Sequence, residues 1–222
     1  MKAVGILLGA GSSSRMGENK MLMPLGNTNA LKLSFGALCN SDIDEVIIAV
    51  SDLTHIFANT LCEGSKIPAR CVMGGETRAH SVINALNACE NAEIVVIHDA
   101  ARCLIKPETI NQSIQQAQEH GSAIATTRVV DTLRNEKNHA TINRDELLAM
   151  QTPQAFKFVL IKNAYKQAEK LENYTDDCEI FLQAGHNPHY FVNDYPNMKL
   201  THKGDIEIFL AILQSRGGQL CE

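Results

Sequence analysis

Short apolar runs alternate with helical stripes along the first half of the chain. Residues 3–8, 45–50, 69–73, 93–97 and 122–127 are short, apolar and closed by turn-forming or charged residues, the mark of buried strands. Between them the spacing changes. Over 28–39, Leu31, Phe35 and Leu38 fall at i, i+4 and i+7; over 76–89, Ala79, Val82, Ile83 and Leu86 fall at i, i+3, i+4 and i+7. Each such helix has one apolar face, which must pack on a core. A further helix is predicted over 107–120, with Pro107 in the first turn, where a missing N–H loses no bond. Strand and helix in alternation imply an α/β fold, a mostly parallel sheet with helices on both faces. Ligands on such sheets sit at the carboxyl ends of the strands. Three loops are therefore of interest: those after Leu8, after Cys71 to Met73, and after Ile97.

The pattern changes after residue 127. Residues 128–148 are polar and include the turn-like run Arg134-Asn135-Glu136-Lys137-Asn138. They read as a projecting arm, with a hairpin as its form and a disordered surface loop as the alternative. Helical spacing returns at 157–171 and 176–184, a short strand is predicted at 188–192, and a last helix at 203–214 puts Ile206, Phe209, Leu210 and Leu213 on one face. No internal repeat or low-complexity linker divides the chain. One domain over 1–222 is expected, with the arm at about 128–148.

Composition narrows the class. A chain of 222 residues suits one large α/β domain, which buries roughly 70 % of its unfolded surface. The formal net charge is -5 and there is no long basic run, so a nucleic-acid binder is not expected. Met1 to Leu8 has one positive charge and a short apolar run, but a glycine-rich turn follows at once, so the segment reads as a strand and not as a signal peptide. No stretch approaches the roughly 20 apolar residues of a membrane helix. A soluble cytoplasmic protein is expected. The seven cysteines show no C-x-x-C spacing, which argues for free thiols in a reducing compartment and against a zinc knuckle or thioredoxin-type motif.

The first loop is Gly9-Ala10-Gly11-Ser12-Ser13-Ser14-Arg15-Met16-Gly17-Glu18-Asn19-Lys20. Small residues let backbone N–H groups approach an anion, and Arg15 and Lys20 add fixed positive charge. A triphosphate needs such a loop. The third glycine of the dinucleotide fingerprint is replaced by Ser14, and no Gly-Lys-Ser/Thr run completes a phosphate loop of the Walker type. A nicotinamide oxidoreductase and P-loop chemistry are thereby disfavoured. The second loop, Gly74-Gly75-Glu76-Thr77-Arg78-Ala79-His80-Ser81, places Arg78 and Ser81 on one face of a first helical turn. The third, His98-Asp99-Ala100-Ala101-Arg102, offers Asp99 for ribose hydroxyls or magnesium, Arg102 for a second anion, and His98 as a structural histidine. His186 and His189 are separated by Pro188 and read as turn residues, not metal ligands.

These motifs occur in order with Asp131-Thr132, Gln151-Thr152-Pro153-Gln154, Thr175-Asp176-Asp177 and Lys199-Leu200-Thr201. Together they resemble the 2-C-methyl-D-erythritol 4-phosphate cytidylyltransferase family over nearly the whole chain. The resemblance implies a Rossmann-like sheet, CTP as co-substrate, Mg²⁺ bound mainly through the CTP phosphates, and a homodimer whose arm completes the partner's site. It implies that the loop at 9–20, Ser12 and Ser13 included, wraps the triphosphate. Arg15 and Lys20 would stabilise the transition state, and Ala10, Gly11, Gly75, Arg78 and Ser81 would surround the nucleoside. Asp99, Ala100 and Arg102 would meet ribose and substrate. Thr132 and Arg144 would reach the alcohol phosphate from the arm, and Thr152, Thr175 and Lys199 would complete the site. The chain departs from the family pattern at Asn19, where proline is usual, at the serines 12 to 14, at Cys103 and at His202-Lys203-Gly204.

The implied reaction joins a phosphate monoester to the α-phosphorus of CTP. Its nucleophile is already anionic, so positioning and charge are needed, and no general base. Arg15, Lys20, Arg144 and Lys199 supply cations from separate points of an acidic chain. Two other readings stand beside it: the same chemistry on another polyol phosphate such as ribitol 5-phosphate, and a non-catalytic nucleotide-binding regulatory protein.

Overall fold

The computed structural model describes residues 1–11, 19–193 and 196–216. In chain order these form β1 (Ala3–Leu8), the short pair β2 (Pro24–Leu25) and β3 (Thr28–Asn29), α1 (Ala30–Cys39), β4 (Glu45–Val50), α2 (Asp52–Glu63), β5 (Ala69–Met73), α3 (Arg78–Ala88), β6 (Ile94–Asp99), α4 (Pro107–His120) and β7 (Ser122–Arg128). The rest comprises β8 (Leu133–Arg134), β9 (Thr141–Ile142), β10 (Leu148–Lys157), α5 (Phe158–Gln167), α6 (Asp177–Gln183), β11 (Tyr190–Val192) and α7 (Asp205–Ser215).

Seven strands make the central sheet, in the order β11-β7-β10-β6-β1-β4-β5. β1 pairs in parallel with β4 and β6, β4 with β5, and β11 with β7; β10 alone runs antiparallel, between β6 and β7. From β1 the chain builds outward to β4 and β5, then returns to lay β6 on β1's other side. The order reverses there, which opens a crevice at the carboxyl ends of β1 and β6.

Alternation along the strands explains the two layers. Ala3 and Leu7 of β1, with Ile94 and Val96 of β6, face a core closed by α1, α4 and α7, where Leu31, Phe35, Ile110 and Phe209 pack. Val4, Ile6, Val95 and Ile97 face the opposite core, closed by α3, α5 and α6. Polar caps fix where helices start: Asn29 accepts the Lys32 N–H at the head of α1, and Asp176 accepts the Glu179 N–H at the head of α6. Gly121, at φ 89°, ends α4 in the left-handed conformation that glycine adopts without strain.

Two elements differ from the sequence pattern. α2 was not anticipated, because its buried face holds Thr54 and Ala58 while Leu53 and Ile56 lie 71 % and 78 % exposed. β10 was hidden by its polar centre, where Thr152 and Gln154 are buried and the ladder to β7 shifts register between Met150 and Gln154; the Thr152–Pro153 peptide is cis. β6 also runs to Asp99, two residues past the expected end, so His98 and Asp99 are strand residues. The arm does form a hairpin: β8 and β9 pair antiparallel, followed by a turn of 3-10 helix at Arg144–Glu146.

Candidate active site

The loops after β1, β5 and β6 meet around a cleft of about 390 Å³ at the carboxyl edge of the sheet. Its walls include Gly11, Lys20, Gly75, Arg78, Asp99 and Lys199. Gly74 and Gly75 are sterically required. A Cβ on Gly74 would lie 2.5 Å from the Ala10 Cβ, and one on Gly75 would collide with His80. Ser81 holds this turn: its hydroxyl accepts the Gly75 N–H at 3.0 Å and donates to the Thr77 carbonyl at 3.1 Å. On the other wall stands Asn19. Its side-chain oxygen accepts the Met21 N–H at 3.0 Å, and its carbonyl accepts the Leu22 N–H at 3.0 Å. A side-chain turn thereby shapes the backbone around Lys20, which is buried.

Charge is concentrated on Asp99. Arg78 Nε lies 3.1 Å from Asp99 Oδ1, and Lys199 Nζ 2.7 Å from Oδ2. Burial alone would push the Asp99 pKa up, but Arg78, Lys199 and Arg102 outweigh it and hold the carboxyl well below the usual carboxylate range. Arg78 also reaches the fully buried Asp177 at 2.8 Å, whose other oxygen accepts the Tyr165 hydroxyl at 2.5 Å. Burial works against the Arg78 charge, and Asp177 and Asp99 restore it, raising its pKa above the ordinary value. Burial, then Asp177, pushes the Tyr165 phenol up, so it stays a donor.

A second chamber of about 310 Å³ shares Arg78, Asp99 and Lys199 with the first and adds Arg102, Thr152 and Thr175. Arg102 is fastened by Nη1 to the Asn197 carbonyl at 2.8 Å and by Nη2 to the Met150 carbonyl at 3.3 Å. Asn197 in turn donates to the Thr152 carbonyl at 2.7 Å and the Gln151 side chain at 3.1 Å. Gln154 bridges to Asp176 at 3.1 Å and accepts the Cys178 N–H at 3.0 Å, which ties β10 to the head of α6.

Most of the anticipated residues therefore come together: Ala10, Gly11, Lys20, Gly75, Arg78, Ser81, Asp99 and Lys199 around the first cleft, and Arg102, Thr152 and Thr175 around the second. Arg15, Ser12 and Ser13 lie outside the described residues. Ala100 has no exposed surface and sits behind the wall, its carbonyl accepting the Ser34 hydroxyl at 2.9 Å; Ala101 lines the first cleft instead. Thr132 and Arg144 are exposed on the arm and line neither chamber. Arg144 donates to the Val130 carbonyl and borders a separate groove with Arg128 and Asp145. Asp177 and Asn197, which hold Arg78 and Arg102, and Tyr165 and Gln154, which hold Asp177 and the head of α6, were not assigned roles from sequence. Asp177 and Gln154 carried a signal, since both stand within quoted motifs; Tyr165 and Asn197 carried none. Among the described residues no group of three or more His, Cys, Asp or Glu is placed to hold a metal ion.

A glycine-walled cleft opening into a second cationic chamber, at the switch point of a parallel sheet, is the architecture of a nucleotide-handling α/β protein. The family model of IspD, 2-C-methyl-D-erythritol 4-phosphate cytidylyltransferase, matches residues 3–215, and the chain belongs to that family. It is 35 % identical to the 2-C-methyl-D-erythritol 4-phosphate cytidylyltransferase of Alkaliphilus metalliredigens, over all of this chain and 97 % of that one. It is 32 % identical to the Clostridium tetani protein of the same name, over 92 % of this chain and 87 % of that one. The crystal structure of 4-diphosphocytidyl-2C-methyl-D-erythritol synthase from Anaerococcus prevotii superposes with a TM-score of 0.84 at 25 % identity, covering 96 % of each chain.

Proposed function

We propose that this nucleotidyltransferase moves the cytidylyl group of CTP onto 2-C-methyl-D-erythritol 4-phosphate, in the non-mevalonate route to isoprenoids. A phosphate oxygen of the alcohol phosphate attacks the α-phosphorus of CTP. The new P–O bond gives 4-diphosphocytidyl-2-C-methyl-D-erythritol, and the bond to the β-phosphate breaks to release pyrophosphate. The observation that carries this reading is the pair of chambers with one shared wall of Arg78, Asp99 and Lys199. Two anionic substrates are thereby accommodated side by side with cations between and around them.

On this reading the glycine turns at 9–11 and 74–75 receive the nucleoside, and Arg15 with Lys20 neutralises the phosphates. Lys20 gains most as charge moves to the leaving pyrophosphate. Asp99, kept ionised by its cations, takes the ribose hydroxyls, while Arg102 and Lys199 face the alcohol phosphate. Asp99 has both oxygens engaged by Arg78 and Lys199. Such a donor set fits a Mg²⁺ carried chiefly on nucleotide phosphates and water. When bound, that ion would lower the triphosphate's charge and ease pyrophosphate departure. Residues 1–222 act as one catalytic domain. Two chains pair so that the arm at about 128–148 brings Thr132 and Arg144 to the partner's site. No helix among the described residues is long and apolar enough to cross a membrane. A cytoplasmic location is part of the same proposal.

The test is pyrophosphate release by the purified chain with Mg²⁺ and CTP, comparing 2-C-methyl-D-erythritol 4-phosphate with ribitol 5-phosphate. Release with the first alone is expected. Release with ribitol 5-phosphate alone overturns the substrate and keeps the chemistry; release with neither overturns both.

A further inference from the structure

His98 occupies the penultimate position of β6 and has no exposed surface. A polar ring in a core must have both nitrogens matched. Here Nε2 lies 3.3 Å from the Arg102 carbonyl oxygen and Nδ1 lies 3.1 Å from Thr152 Oγ. A carbonyl oxygen only accepts, so Nε2 carries the proton and Nδ1 keeps its lone pair. The Thr152 hydroxyl accepts the backbone N–H of Asp99 at 3.0 Å, which leaves its own proton for Nδ1. All the directions are consistent. Asp99 N–H donates to the Thr152 hydroxyl, the hydroxyl donates to His98 Nδ1, and Nε2–H donates to the Arg102 carbonyl. Arg102 N–H closes the turn on the Asp99 carbonyl at 2.9 Å.

We infer that His98 is a positioning residue of the proposed reaction: its neutral Nε2–H imidazole fixes both ends of the turn that presents Asp99 and Arg102 to the two chambers. The inference rests on the function proposed above for its kinetic consequences, and on geometry alone for its tautomer. Burial favours the uncharged ring, pushing its pKa down to about 4; Asp99 acts in the opposite sense, and Arg102 and Arg78 in the same sense. An imidazolium would present a second N–H to the Thr152 hydroxyl and break the chain. The position thus asks for a side chain that accepts at one end and donates at the other, spans the core from β10 to the turn, and stays neutral at physiological pH.

Two measurements test this. In the full-length protein labelled with ¹⁵N-histidine, the signal that disappears in His98→Gln is expected to show the neutral Nε2–H tautomer at pH 7. An Nδ1–H tautomer or a charged ring there overturns the proposal, and this readout needs no substrate, so it stands apart from any failure of cytidylyl transfer. In steady-state kinetics, His98→Phe keeps a ring without nitrogens and is expected to lower kcat by about 100-fold, the scale of a small misplacement of reacting groups, with KM changing much less. His98→Gln, whose amide N–H can still reach the Arg102 carbonyl, is expected to recover most of that loss. Thr152→Val interrupts the same chain from its other side, and the double variant His98→Phe/Thr152→Val is expected to be no worse than the poorer single variant. Additive losses, or a lowered melting temperature with kcat intact, reduce His98 to packing and overturn the proposal. Should His98→Phe fail to fold, His98→Gln against Thr152→Val carries the same comparison.

Discussion

The turn after β6 and the arm present cations to what is proposed to be one anionic substrate, yet they hold them by opposite means. Arg102 is clamped by two backbone carbonyls and stands beside Asp99, itself held by Arg78 and Lys199. Behind them Asp177 and Tyr165 anchor Arg78 in the core. Among the described residues Arg144 donates only to a carbonyl of its own arm, that of Val130, and it is exposed beside this valine, itself 76 % exposed. The sheet supplies buried counter-charges that preorganise the first set before any ligand arrives. The arm supplies none, so the orientation of its cation must come from what it docks against.

The largest expected effect follows from removing a buried counter-charge. Asp177→Ala leaves Arg78 charged and half its partners gone, and should destabilise the fold by about 3 kcal/mol or more. Asp145→Ala, on the exposed arm, should stay within about 0.5 kcal/mol. Urea denaturation of both variants checks the pair, and equal losses would erase the contrast between the two regions.

Next comes Lys20→Ala, which tests whether the enclosed cation acts in the transition state. Its kcat should fall by about 100-fold or more, the range seen when one preorganised charge-stabilising donor is deleted, with a smaller rise in KM for CTP. A rise in KM alone would reassign Lys20 to ground-state binding.

The pH dependence of stability separates the regions more gently. In the native protein His98 stays neutral down to about pH 4, because burial disfavours the charged ring more than Asp99 favours it. An unfolded histidine takes up its proton near 6.5. Below that pH the unfolded state binds the extra proton, so His98's contribution is complete above 6.5 and is lost as pH falls toward about 4. The loss is on the order of 3 kcal/mol across that window. The difference between wild type and His98→Gln, followed by denaturation at each pH, should show this slope, and parallel profiles would count against it.

The contrast also explains what could be read without coordinates. The strands at 3–8, 45–50 and 69–73 were legible to the residue because both faces of each are apolar or paired, and nothing competes with that signal. So were the glycine turns, since only glycine fits at 74 and 75. β10 was not legible: its inward residues Thr152 and Gln154 are polar and are satisfied by His98, Asp99, Asp176 and Cys178, partners far apart in sequence. Long-range pairing of this kind has no local period. For the same reason nothing in the sequence marked Tyr165 of α5, and Ala100 was expected to meet substrate although the strand's extension to Asp99 turns it inward. The arm's polarity announced an excursion from the core, but not what it meets.

The smallest effect on stability, and the sharpest test of the arm, comes from Arg144→Ala. Its fold should be unchanged within about 0.5 kcal/mol, because the side chain is exposed and, among the described residues, donates to a backbone carbonyl of the same arm. Activity should nevertheless fall if the arm serves a partner's site, and subunit mixing tells whose. Lys20→Ala and Arg144→Ala are each impaired alone. In a mixed dimer, the chain carrying Arg144→Ala keeps its own Lys20 and would receive an intact arm from its partner, which restores one complete site. Equal mixing with free exchange should then return roughly a quarter of wild-type activity, since half the dimers are mixed and half their sites are whole. No recovery after demonstrated exchange would mean that the arm acts on its own chain or on none. Arg144 would then be a surface cation, and the preorganised turn would have to hold the alcohol phosphate without it.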